Sequence, residues 1–168
     1  LDSVKVHIIK DAATRLAALR IGSARLGARG TQALSPSEVE TLRKEVPNLQ
    51  VHRIASTVGA AVFFNLRTPP MNDPRVRKAI HLAIDRQAAV KVVAEGSGVP
   101  NRFFPLEDLG IPVNELLQRP GFRQPKDQDI AEAKKLLAEA GYPSGLSLPL
   151  LSRQNILTKN TAILLTNQ

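Results

Sequence analysis

The sequence predicts an α/β fold, because short apolar segments typical of strands alternate along the chain with longer segments that carry helix-capping signals. The 168 residues are 43% hydrophobic, which is enough to build a core. The strand-like segments are residues 4–9, 49–54, 60–66 and 146–150, with room for one further short strand in the glycine-rich residues 23–33.

Two capped helices are predicted in the first third of the chain. Asp11 can cap a helix over residues 12–21, and Gly22 can close it. Ser35-Pro36-Ser37-Glu38 combines a capping box with proline at the first helical position, and it predicts the start of a second helix. The apolar face of that second helix consists of Val39, Leu42 and Val46.

The central residues predict a buried strand followed by two helices. Residues 60–66, AAVFFNL, are a continuous apolar run, and Pro69-Pro70 ends it because proline cannot donate to a ladder. Asp73-Pro74 predicts the start of the first helix. Asp85 predicts the start of the second, which ends at Gly96. The first helix has an apolar face of Val76, Ala79, Ile80, Ala83 and Ile84, and the second is expected to bury Val92 and Val93.

The last third of the chain predicts a long loop, a helix, a strand and a further helix. Residues 97–126 are rich in proline, glycine and polar residues, and the aromatic residues that would pin this loop are Phe103, Phe104 and Phe122. Asp127 or Asp129 is expected to cap the next helix, whose buried stripe runs from Ile130 to Ala140. The final helix is expected over residues 155–166.

The chain carries a net charge of +8, which raises the alternative of a basic α/β domain that binds nucleic acid. The excess is spread evenly: residues 1–60 hold nine Lys and Arg against five Asp and Glu, and residues 61–168 hold fourteen against ten. No basic block stands out. The pattern therefore favours a solvated surface, and nucleic acid is not the expected partner.

The sequence gives no indication of catalysis, a cofactor or a metal site. Cysteine is absent, and His7, His52 and His81 lack metal-ligand spacing. Phosphate-binding, dinucleotide-binding and nucleophile-elbow motifs are also missing. We therefore expect a protein that is not an enzyme and that needs no cofactor.

Residues 65–86 follow the order N-x-R-x-P-P-x-x-D-x-R-V-R-x-A-I-x-x-A-I-D-R, and residues 131–143 read AEAKKLLAEAGYP. These two motifs resemble those of the family 5 extracellular solute-binding proteins, the peptide- and nickel-type receptors of ABC importers. The likeness extends over residues 4–150. One departure is Arg25, which stands where this family usually places an acidic residue.

The resemblance implies an internal fragment of a two-lobed, type II periplasmic-binding-protein-like fold with a mixed sheet flanked by helices. Residues 1–58 would end one lobe, and residues 59–168 would supply a hinge strand and the first part of the second lobe. The lack of an initiator Met and the uncapped apolar C-terminus also predict a fragment, and we expect it to self-associate.

The resemblance further implies a function in transport outside the cytoplasmic membrane. The whole protein would capture a small solute, most often a short peptide, and deliver it to the membrane permease of an ABC transporter. Its location would be periplasmic or at the cell surface.

The expected site lies where the chain crosses between lobes. Small residues there allow close backbone approach and hinge motion, although an ordinary loop is the alternative. These residues are Ser56, Thr57, Val58, Gly59 and Ala60. Asn65 is expected to orient the hinge turn through bonds from its side chain to the backbone. Arg75, Arg77 and Asp85 could form a clamp for ligand charge, but helix caps and ion pairs are the favoured interpretation.

Overall fold

The computed structural model describes residues 2–25, 34–52, 60–100, 111–153 and 155–168. The chain divides into two compact units, Leu1–Ile54 and Ala55–Gln168. The assignment of residues 1–58 and 59–168 to two lobes of a binding protein stays a prediction.

The first unit contains two helices, α1 (Ala12–Arg20) and α2 (Pro36–Glu45). Both begin at the predicted caps: the Asp11 side chain accepts the N–H of Thr14, and Ser35 and Glu38 form the complete capping box. The helices pack against each other, and an ion pair joins Arg20 to Glu45. Leu42 of α2 is fully buried.

The second unit is built around the pair α3 and α6. Its described helices are α3 (Pro74–Ala83), α4 (Arg86–Val93), α5 (Val113–Leu116), α6 (Asp127–Glu139) and α7 (Ile156–Thr166). The core between α3 and α6 consists of Ala79, Leu82 and Ala133, with Ala83, Leu136 and Leu137 partly buried around it. The small side chains at positions 79 and 133 allow the two helices to approach closely. Helix α7 packs against α4.

The prediction of an α/β fold with a mixed sheet flanked by helices is wrong, because the described residues form helices and no strand. The described parts of segments 4–9, 49–54, 60–66 and 146–150 contain no backbone ladder. A strand is stable only when its N–H and C=O groups pair with a neighbour, so apolar alternation alone does not make one. Several apolar side chains of these segments point into solvent, such as Ile8 at 88% and Phe63 at 92% exposure.

Three smaller expectations also change. Helix α6 begins after Lys126, with Asp127 and Asp129 in its first turn and neither acting as the cap. The long loop of residues 97–126 contains the short helix α5. Val92 is 62% exposed because it lies on the solvent face of α4.

Within the described ranges, no helix is long and apolar enough to cross a membrane.

Candidate functional site

The predicted hinge segment is described only at its C-terminal end. Ser56, Thr57, Val58 and Gly59 lie outside the described residues. Ala60 is partly buried, and the residues that follow it up to Asn65 form no regular secondary structure. Their role as a hinge and pocket floor therefore stays a prediction.

Asn65 ends this segment with a local side-chain bond. Its Oδ1 accepts the backbone N–H of Arg67 at 3.1 Å, and the Asn65 side chain is otherwise exposed. Such a bond two residues along the chain fixes the direction of a turn. It sets the path by which the chain leaves the segment and enters the turns that lead to α3.

The charged residues at the start of α3 bind one another and the backbone. The Asp73 carboxylate accepts the backbone N–H of Arg75 at 2.8 Å and both Nε and Nη2 of its guanidinium. Arg75 Nη1 also donates to the carbonyl of Glu139 at 2.7 Å, which ties the N-terminus of α3 to the C-terminus of α6. The side-chain and backbone hydrogen bonds from Arg75 lower the pKa of Asp73. These groups are used for capping and packing, as the favoured interpretation predicts.

Arg77 and Asp85 also have structural partners. Arg77 donates to the carbonyl of Met71 at 2.6 Å. Asp85 caps α4 by accepting the N–H of Ala88 at 2.9 Å, and it also accepts Nε2 of Gln124 at 2.8 Å. An open depression of about 410 Å³ adjoins this cap and is lined by Asp85, Gln87, Ala88, Val90, Lys91, Gly96 and Gln124. The Asp85 carboxylate already accepts the N–H of Ala88 and Nε2 of Gln124. It is therefore not free to act as a clamp for a charged ligand.

A buried charge cluster at the start of α6 was not predicted from the sequence. Asp129 is fully buried, and its Oδ2 accepts the backbone N–H of Gly121 at 2.9 Å and Lys126 Nζ at 2.9 Å. Its Oδ1 accepts Arg123 Nε at 2.9 Å. Burial raises the pKa of Asp129, but the hydrogen bonds from Lys126, Arg123 and Gly121 outweigh that effect and lower it. The carboxylate therefore holds residues 119–126 on the first turn of α6 as a charged group.

The same loop packs against α3 through the imidazole of His81. The ring contacts Phe122 edge-on with 5.8 Å between centroids, and the Arg86 guanidinium lies 4.6 Å above the Phe122 ring. Phe122 therefore pins the loop, as predicted, whereas Phe103 and Phe104 lie outside the described residues. The spacing of His81, Arg86 and Phe122 in the sequence gives no signal of this contact, because it depends on the return of the loop.

In the described ranges no group of three or more His, Cys, Asp or Glu side chains is placed to hold a metal ion. His7 and His52 are exposed. His81 uses both ring nitrogens in contacts with protein groups.

Comparison with known proteins defines the family. The model of the bacterial extracellular solute-binding proteins, family 5 Middle, matches residues 1–168, so the chain belongs to this family. It is similar to the glutathione-binding protein GsiB of Salmonella choleraesuis (strain SC-B67), with 32% identity over 168 residues. GsiB of Escherichia coli (strain K12) is 30% identical over the same length. All of this chain aligns, but it spans only 30% of the length of either relative. No solved structure matches the chain.

Proposed function

We propose that the protein containing this chain is the solute-binding component of an ABC import system. It captures a small solute between two lobes and delivers it to a membrane permease, without catalysing a reaction. The observation that carries the proposal is the family match over residues 1–168. The proposed location is periplasmic or at the cell surface, and the same family membership supports it.

The proposed solute is a short peptide, and glutathione is the first to test. The relatives from both Salmonella choleraesuis and Escherichia coli are named glutathione-binding proteins, and glutathione is a tripeptide. Enclosure between lobes would remove most of such a ligand from water, and main-chain polar groups would orient its amides and carboxylates.

The proposed hinge and pocket floor consist of Ser56, Thr57, Val58, Gly59 and Ala60, oriented by Asn65. Ligand contacts with both lobes would favour the closed form, and the hinge residues would absorb the change in backbone angles. The bond from Arg67 N–H to Asn65 supports this role, because it fixes the turn that follows the segment.

Native mass spectrometry of the complete gene product, purified gently from its own host, tests the proposal. We expect a bound mass that disappears on denaturation and fragments as a peptide. Added glutathione should displace it, whereas trialanine at the same concentration shows whether any tripeptide can do so. A protein that carries no ligand and binds neither peptide would contradict the proposal.

The hinge assignment is tested with Asn65→Ala in the same gene product. A hydrogen bond contributes about 1 kcal/mol, so loss of the turn should weaken solute binding by about fivefold in calorimetry. Asn48→Ala is the matched control, because Asn48 is an exposed asparagine in the turn after α2. Equal solute affinities in the Asn65→Ala and Asn48→Ala variants would show that Asn65 has no role in the hinge.

The nucleic-acid alternative has the net charge of +8 in its favour. Against it, eight basic side chains of the described residues lie within ion-pair distance of a carboxylate, so part of the charge is locally balanced. A steep loss of DNA or RNA affinity with rising salt, in a protein that holds no small solute, would favour this alternative.

A further inference from the structure

His81 lies at the meeting point of three elements of the second unit. It belongs to the last turn of α3, the Arg86 side chain reaches it from α4, and the loop of residues 119–123 covers its ring. Gly121 is buried against the imidazole: a Cβ at that position would lie 2.3 Å from His81 Nε2. The partly buried imidazole thus leaves no room for a side chain at position 121.

The partners of the two ring nitrogens determine the tautomer of His81. Nδ1 lies 3.0 Å from Nη2 of Arg86, and a guanidinium can only donate, so Nδ1 must accept. Nε2 lies 3.2 Å from the carbonyl of Pro120, which can only accept, so Nε2 must carry the hydrogen. Only the neutral Nε2–H imidazole satisfies both contacts.

The charges around the ring oppose a positive imidazole. Arg86 of α4 and Lys126, at the start of α6, are cationic, while the Asp129 carboxylate of α6 is the facing anion. That carboxylate already binds Arg123, Lys126 and the Gly121 N–H. Burial, and then the charge of Arg86, lower the pKa of His81.

The Arg86 guanidinium joins the same groups into one unit. Its Nη1 donates to the carbonyl of Gly121 at 2.7 Å and to that of His81 at 2.9 Å. When Arg86 moves away from the His81 ring, its bond to the Gly121 carbonyl, which holds the loop to α4, is also lost. Loop position and histidine charge are coupled through this side chain, in addition to the contact of His81 Nε2 with the Pro120 carbonyl.

We propose that His81, Arg86 and residues 119–123 form an acid-sensitive latch, in which protonation of His81 replaces the acceptor for Arg86 with an N–H and releases the loop from α3 and α4. The open form takes up the proton more readily than the latched form. The latch is therefore intact above the ordinary histidine pKa of 6.5 and weakens as the pH falls below it, until the pH has passed the pKa of the latched form. This inference stands apart from the identity of the solute.

Nitrogen-15 NMR of the imidazoles in the wild-type chain is the first test. We expect His81 to be the neutral Nε2–H tautomer at pH 7.5 and to titrate below 6.5. His7→Asn and His52→Asn variants assign the three rings. A ring that titrates at or above 6.5, or that carries its hydrogen on Nδ1, would overturn the latch.

Hydrogen exchange of the Gly121 and Phe122 amides tests the release itself, after correction for the intrinsic pH dependence of exchange. Both amides belong to the loop that the latch holds, and they donate to the Asp129 carboxylate and to the Arg119 carbonyl. Their protection should fall as the pH drops below 6.5, by about tenfold for each pH unit until the pKa of the latched form is reached. His81→Asn keeps an acceptor for Arg86 but does not titrate, so its protection should stay constant, whereas His52→Asn should behave as the wild type. Constant protection in the wild type, or the same loss in His81→Asn, would refute the proposal.

Discussion

At the scale of single residues, Gly121 is constrained twice. Its φ of +84° lies in the left-handed region, and a Cβ would meet an imidazole that Arg86 and Pro120 hold in place. Gly121→Ala should therefore lower the free energy of unfolding by about 3 kcal/mol, from backbone strain and overpacking together. Gly141→Ala is the control, because Gly141 has a φ of +92° with no atom within 4 Å of the added Cβ. It should lose only about 1 kcal/mol in urea unfolding. Equal losses would mean that the imidazole moves freely.

A second prediction concerns the buried carboxylate of Asp129. Asp129→Asn removes the buried anion that Arg123 and Lys126 share, leaving Arg123 only the longer contact with Glu132, and should cost about 3 kcal/mol at pH 7. Glu115→Gln removes only an exposed pair with Arg119 and should cost about 0.5 kcal/mol or less.

The effect of Asp129 also has a pH dependence of defined sign. Because the folded pKa is lowered, the stabilisation is complete above the ordinary value of 3.8 and is lost as the pH falls through the folded pKa. In urea unfolding at several acidic pH values, the free energies of unfolding of wild type and Asp129→Asn should therefore begin to converge below pH 3.8 and should meet once the pH is below the folded pKa. A constant difference between the two proteins down to the lowest pH would contradict the role of this carboxylate as a charged group.

The helix caps predicted correctly are those whose partners lie within three positions. Asp11, Ser35, Asp73 and Asp85 cap their helices by accepting an N–H two or three residues ahead, so the sequence is sufficient to identify them. Asp129 instead binds Gly121 and Arg123, whose positions depend on the path of the loop before α6. No local pattern distinguishes such a residue from a helix cap.

At the scale of elements, the same difference between local and distant partners separates helices from strands. Helices such as α2 and α3 were predicted because their hydrogen bonds, caps and apolar stripes are all internal to the segment. Segments 4–9 and 60–66 have the composition of strands, but a ladder needs a neighbour, and among the described residues none is paired. The prediction of a sheet was wrong for this reason.

At this scale, the prediction concerns the packing of α3 against α6. Leu82 is fully buried between these helices, although it lay outside the apolar face predicted for α3. Leu82→Ala should lower the free energy of unfolding by about 3 kcal/mol, because it leaves a cavity between two packed helices. Val92→Ala on the exposed face of α4 should change it by less than about 0.5 kcal/mol. Chemical denaturation followed by circular dichroism distinguishes these outcomes, and a small effect at Leu82 would show that the core repacks.

At the scale of the whole molecule, the exposed apolar side chains bear on how the chain behaves in solution. Val4, Val6 and Ile8 alternate along one segment of the first unit and are all more than two-thirds exposed. Apolar surface of this kind promotes association. Self-association of the chain when it is studied alone therefore stays a prediction, and this surface is the reason for it.

Light scattering of the 168-residue chain over a range of concentrations tests this expectation. We expect the average mass to rise above the 18.2 kDa of one chain, and Val6→Lys to return it towards that value by placing a charge within the alternating segment. Ile21→Lys is the matched control: Ile21 is 79% exposed, close to the 78% of Val6, but it stands at the end of α1 outside that segment. A monomer at all concentrations would contradict self-association, and an equal effect of the two lysines would show that net charge, rather than residues 4–8, controls it.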